Sequence, residues 1–192
     1  MWEARSARRS SLVMLRFAAG TAPPTFLWIL ALSCSTKTLM QSLSNPQDKS
    51  SVILRLKTIR HDSPRQWGRM SSPQMICHLS DAFRVAIGEK PACLAPNLIN
   101  QTMIKWIALR APLPWPKGFQ TPPEVNQEGD VCTHPLDFQK DITQLLALIE
   151  RFTSGERDFQ FQVHPIFGQL SEWEWFRWGY LHMDHHLRQF GA

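Results

Sequence analysis

Three helix-opening signals spaced along the chain constrain its fold more than any other feature. Asn45-Pro46 places a capping side chain before a proline that the first helical turn tolerates, and Ser72-Pro73 repeats the pattern. Ser171-Glu172-Trp173-Glu174 has the S-x-x-E form, in which both side chains satisfy orphan backbone donors at a helix start. Apolar residues then return at helical spacing. Val52, Ile53, Leu56 and Ile59 predict a helix over residues 45–60, closed by Asp62-Ser63-Pro64, and Met75, Leu79, Ala82, Val85 and Ala86 predict a second over 72–88. Leu136, Ile142, Leu145, Leu146 and Ile149 predict a further helix over 135–152, and the last runs over 171–190 with Gly191 as its stop. There is no repeat and no convincing set of alternating strands. The expected fold class is all-α: a four-helix bundle with one long crossover connection and a minor extra helix over 98–109. Pro112, Pro114, Pro116, Pro122 and Pro123 stiffen that crossover.

A domain of roughly 150 residues buries about 70% of its unfolded surface, so it needs neither a disulfide nor a structural metal to fold. Cys34, Cys77, Cys93 and Cys132 fit that view: they are widely spaced, with no CxxC pair, and the last three read as thiols in a reducing compartment. Eight Trp and eleven Phe against one Tyr are packing material first. The net charge of +5 suggests nucleic acid until it is located. Arg5, Arg8, Arg9, Arg16 and Lys37 face Glu3 alone in the first forty residues, leaving the rest nearly neutral. Without a basic face or helix, nucleic acid is not an expected partner.

Residues 1–40 are expected to be an extension preceding a domain over 41–192. Their basic start and short apolar run, Phe26 to Leu32, resemble an export signal, but Arg16 and Pro23-Pro24 interrupt it. The run is far shorter than the roughly 20 residues of a membrane span. A disordered extension, or a translation start at Met40 with a cytoplasmic location, is the first reading; export with processing near Cys34 is the alternative.

Histidine placement carries the chemistry. His182 and His186 stand four residues apart on the last helix, so their side chains lie about 40° apart and about 6 Å along the axis, a spacing that lets them share one ion. Trp175, Trp178 and Gly179 fall near the same stripe, and Gln189 continues it, which turns the pair inward; Gly179 would let a facing helix or ligand approach. His78 lies on the apolar side of the second helix with Met75, Ala82 and Val85. Three neutral imidazoles from two helices can hold a divalent ion with positions left open. Imidazole suits several metals, so zinc, nickel, iron and manganese all stay open. Met183 stands where a metalloprotease would carry its Glu base, so that signature is absent. The alternative is three core histidines satisfied by hydrogen bonds. His185 points away from the pair, His164 beside Pro165 reads as a loop-fixing side chain, and His61 and His134 read as solvated. Cys77 lies about 100° round from His78 and should not face the same ion.

Gln66-Trp67-Gly68-Arg69-Met70-Ser71-Ser72-Pro73-Gln74-Met75-Ile76-Cys77-His78-Leu79, His164-Pro165-Ile166-Phe167-Gly168 and Tyr180-Leu181-His182-Met183-Asp184-His185-His186-Leu187-Arg188-Gln189-Phe190 together resemble the bacterial-type DinB-like superfamily. The likeness is narrowest to an uncharacterised branch of it, a domain of unknown function, and covers residues 40–192. It implies a four-helix bundle with a long crossover and a three-histidine metal site at His78, His182 and His186. Some relatives of this kind are thiol-dependent transferases or isomerases; others have no established activity.

The leading expectation is a metal-dependent enzyme, a thiol transferase taking a low-molecular-weight thiol and a small electrophilic substrate, with Trp175 and Trp178 as candidate walls. Hydrolysis by metal-activated water is chemically equivalent at this level. The rival is a non-catalytic metal-binding or stress-related protein. No P-loop, G-x-G-x-x-G or G-x-S-x-G motif points to another enzyme class. Substrate, ion and oligomeric state stay open, a homodimer among the options. Intact mass of the natively produced protein tests the extension: a terminus near Cys34 or Ser35 rules out the start at Met40.

Overall fold

The capping signals set the helix starts, with two corrections of register. In the computed structural model, which describes residues 40–93, 99–111, 113–118 and 132–192, the Asn45 side chain accepts from the amides of Gln47 and Asp48 and opens α1 (Pro46–Leu56). This helix stops four residues short of expectation, yet Ile59 is still buried beyond its end. The second helix, α2 (Ser72–Ile87), is capped by Ser71 rather than Ser72. Ser71 and Gln74 form a reciprocal capping box, and Pro73 sits within the first turn, where its missing N–H costs nothing. Ser72 instead donates its hydroxyl to the Arg60 and His61 carbonyls, tying α2 to the chain that leaves α1. Gly88 ends α2 at φ 85°, the left-handed conformation a helix stop favours.

The minor helix of the crossover begins as a π-helical turn over Asn100–Ile104 and continues as α3 (Lys105–Arg110). The next helix, α4 (Phe138–Phe152), starts later than Pro135, because Asp137 is its cap. Leu136 therefore precedes the helix and is 93% exposed, a correction to its expected place on the apolar face. The last helix, α5 (Glu172–Gln189), opens on the expected Ser171–Glu174 capping box. Among the described residues there are five α-helices and no strand, so the chain is helical as expected. None of these helices is long and apolar enough to cross a membrane. The residues before Met40, and Leu98, Pro112, Pro122 and Pro123 of the crossover, lie outside the described residues.

Packing places α2 at the centre, against both α4 and α5, while α5 also contacts α1 and α3. Nearly the whole surface of α2 is buried. Phe83, Met75 and Leu79 of α2 meet a core that includes Leu145, Ile149, Phe152, Trp175 and Met183, each burial contributing about 1.5–3 kcal/mol. Gly179 does not face the histidines: a Cβ there would lie 2.7 Å from Leu43 Cδ1, so this glycine admits Leu43 and the rings of Phe83 and Phe152. The Leu43 amide donates to the Phe176 carbonyl, and the buried Arg177 donates to the Gln41 and Leu109 carbonyls, so α5 holds both the segment before α1 and the end of α3.

A helix buried all round has no solvent to satisfy a charge. Asp81 of α2 is fully buried and receives every partner from the protein: Lys90 Nζ at 2.5 Å, Arg84 Nη1 at 3.0 Å, and the Thr133 amide and hydroxyl at 2.8 and 2.7 Å. Burial alone would raise this carboxyl; the hydrogen bonds from Lys90 and Thr133 outweigh it and hold it below the usual range. Through Thr133 the returning end of the crossover is fastened to α2. Asp81→Ala should destabilise the protein by about 3 kcal/mol or more, since it strands the half-buried Lys90 and Arg84 cations; urea unfolding measures it.

Candidate metal centre

His78 projects from the middle of α2 toward α5, where His182 and His186 share one face four residues apart. The three imidazoles form a near-equilateral cluster, with ring centroids 5.1 Å (His78–His182), 4.7 Å (His78–His186) and 4.9 Å (His182–His186) apart. One nitrogen from each ring lies within 4.8 Å of the others, and His78 Nε2 is 3.1 Å from His182 Nε2. His78 and His186 are buried, while His182 is of intermediate burial with its Nδ1 shut off from solvent and without a hydrogen-bond partner.

Burial, then the neighbouring imidazoles of His186 and His78, hold His182 well below the usual histidine range; burial, then His78, do the same for His186 against the opposing effect of the hydrogen bond it donates to Gln189. Neutral rings are the form that offers a lone pair to a metal. On His186 the Nδ1 faces Gln189 Oε1 at 2.9 Å.

The surroundings are aromatic. Trp178 tilts over His182 at 5.0 Å, and Trp115 of the crossover stands 6.1 Å from His182 and 6.2 Å from His185, its indole N–H donating to the Ala108 carbonyl. Trp67 meets His185 edge-on at 5.9 Å and carries Lys117 Nζ 4.4 Å from its ring centroid. Of the two expected walls, Trp178 touches the cluster, whereas Trp175 is fully buried and stacks on Phe161. Trp67 stood in the sequence only as part of the motif that carries the resemblance, and Trp115 had no signal beyond its residue type, since it lies outside any regular helix.

A family model described as "Protein of unknown function (DUF1569)" matches residues 40–192. The chain belongs to the DUF1569 family. No curated protein and no solved structure matches it.

In this DUF1569 chain the remaining histidines fall outside the cluster. His185 is half-buried and edge-on to His186, and His61 and His134 are exposed. The thiol of Cys77 is buried; burial and the carboxylates of Asp141 and Asp81 push it up to about 12, so it stays protonated. His164 fixes its loop as expected: Nδ1 accepts from the Ile166 and Phe167 amides, and its backbone pairs with Gly168 in both directions. Its ring stacks on Phe167 and meets Trp178 edge-on, so the His164–Gly168 loop buttresses the indole that covers His182.

Burial pushes the His164 imidazole down to about 3 from an ordinary 6.5. The unfolded chain takes up that proton near pH 6.5 while the folded ring resists it. Stability is therefore whole above about pH 6.5 and is lost as pH falls toward 3, with about 2 kcal/mol gone by pH 5 from this group alone. His164→Asn keeps an acceptor for the two amides but does not titrate. It should make the loss between pH 6.5 and 4 shallower by about 1.4 kcal/mol per unit, read by urea unfolding in chelator. An unchanged slope would contradict the assignment.

Proposed function

We propose that this DUF1569 chain is a divalent-metal protein of the DinB-like type, a four-helix bundle that holds its ion on His78, His182 and His186, and that it is a metal-dependent enzyme acting on a small thiol and an electrophilic substrate. The observation that carries this reading is the convergence of three ring nitrogens from two packed helices within 4.8 Å. At bond lengths of 2.0–2.1 Å, two imidazole nitrogens on a tetrahedral ion stand about 3.3 Å apart. The spacing of 3.1 Å between His78 and His182 is already close to that, and the third nitrogen lies within 4.8 Å of both. The donor set fits as well: three imidazoles, no carboxylate or thiolate in the group, and no fourth protein ligand among the described residues. Sites with three protein ligands leave a position for water or substrate, whereas structural sites fill all four.

A divalent ion there supplies Lewis acidity, which lowers the pKa of a coordinated thiol or water toward neutrality. The chain's own groups do the rest. Trp178 and Trp115 border His182 and keep its surroundings apolar, which strengthens electrostatic effects at the reacting atoms. Cys77 is not the nucleophile, because its thiol is buried and held protonated. With no protein thiolate in the group, the reactive sulfur or oxygen comes from a small molecule.

Metal analysis of gently purified protein should find about one equivalent per chain. His78→Ala and His182→Ala should each fall below about a tenth of an equivalent while circular dichroism keeps its helical signal. Absence of metal from the wild type, with no change in His182→Ala, sinks the reading. Conjugation assays on the zinc-, nickel-, iron- and manganese-loaded chain, with small thiols and alkyl halide or epoxide acceptors, separate transfer from simple binding.

A further inference from the structure

Gln189 is buried at the end of α5 and makes three contacts, one to the histidine cluster and two to the segment before α2. Its Oε1 lies 2.9 Å from His186 Nδ1, its Nε2 donates to the Trp67 carbonyl at 2.9 Å, and its own carbonyl accepts from the Gln66 amide at 2.7 Å. The orientation of the amide is thereby decided. A backbone carbonyl only accepts, so the amide must turn Nε2 to Trp67 and leave Oε1 for the imidazole. An amide oxygen also only accepts, so the proton of neutral His186 resides on Nδ1 and its lone pair on Nε2. The segment before α2 is shaped for this. Gly68 has φ 76°, and a Cβ there would stand 2.5 Å from Gln189 Nε2, so only glycine lets the chain lie against the amide. His182 has no equivalent partner on Nδ1, which leaves its tautomer to be set by its neighbours in the cluster.

We propose that Gln189, braced by the Trp67 carbonyl, is a positioning residue that fixes which nitrogen of His186 faces His78 and His182, and so prepares one of the three ligands before any ion arrives. This rests on the metal reading for its purpose but not for its structural content. Residues 66–68 thereby belong to the centre although none touches the imidazoles' converging nitrogens. A ligating histidine whose second nitrogen is held by a protein acceptor binds metal more tightly, and removal of such an acceptor typically costs about 10–100-fold in affinity.

Two measurements on the full chain test this. Nitrogen NMR of chelator-treated protein labelled at histidine reads the His186 tautomer without any metal: the wild type should show the Nδ1–H form, and Gln189→Met, of similar length but lacking the acceptor, should show a mixture or the Nε2–H form. Gln189→Glu, which keeps an acceptor toward His186 but can donate to the Trp67 carbonyl only when its carboxyl is protonated, should restore the Nδ1–H form under those conditions. Cobalt(II) titration followed by its visible absorption should then give about 10–100-fold weaker binding for Gln189→Met. An unchanged tautomer, or a changed tautomer with unchanged cobalt affinity, overturns the proposal. Wild-type protein that takes up no cobalt overturns the metal reading instead, while the tautomer comparison still decides what Gln189 does. If Gln189→Met loses cooperative unfolding, Gln189→Asn, whose amide stops one methylene short of the ring, faces the same outcomes.

Discussion

The packing of α2 between α4 and α5 is the constraint on which the rest depends. A helix wrapped on all sides must satisfy each polar group from within the protein, and α2 carries two that matter, Asp81 and His78. They are handled in opposite ways. Asp81 is ionised and saturated with cations and N–H donors, so it works as a fastening point for the crossover. His78 is given two more imidazoles across the α2–α5 interface, an arrangement that brings one nitrogen of each ring within 4.8 Å of the others. One buried site has its charge balanced internally; the other gathers three imidazoles.

The centre draws on more of the chain than the two helices that bear it. The segment before α2 reaches it through the Trp67 carbonyl, the crossover through Trp115, and the loop before α5 through His164 and Trp178. Each of these is irregular backbone held by a specific hydrogen bond: Gln66 to Gln189, Trp115 to Ala108, and Ile166 and Phe167 to His164. Helices set the spacing of the three imidazoles, and pinned loops supply their surroundings.

Much of this was legible in the residues, for physical reasons that also explain the failures. An i, i+4 pair on a helix has one possible relation in space, so His182 and His186 were readable once α5 was, and His78 followed from its place among apolar neighbours. Ser171 and Glu174 were readable because a capping box is entirely local. Ser71 was missed because Ser72-Pro73 offers a competing signal, and only the Gln74 side chain, returning to the Ser71 amide, selects between them. Leu136 was misplaced because Pro135 resembles a helix start, whereas Asp137, two residues on, takes the capping role. Gly179 sits 60° from His182 on a helical wheel, near enough to join the wrong face, and only the insertion of Leu43 shows which side it serves. The contacts of Trp67 and Trp115 were beyond local reading, since Trp67 meets Gln189 across 122 positions of sequence.

Leu43 has one more implication. It lies before the capping asparagine of α1, in a stretch that local rules would assign to a loose lead-in, yet it is fully buried and occupies the notch that the missing side chain at 179 leaves in α5. The folded unit therefore starts ahead of its first helix. A recombinant boundary drawn at the helix cap, the obvious place to cut, would remove a cork from the wall of the core and leave a hole beside Phe83 and Phe152.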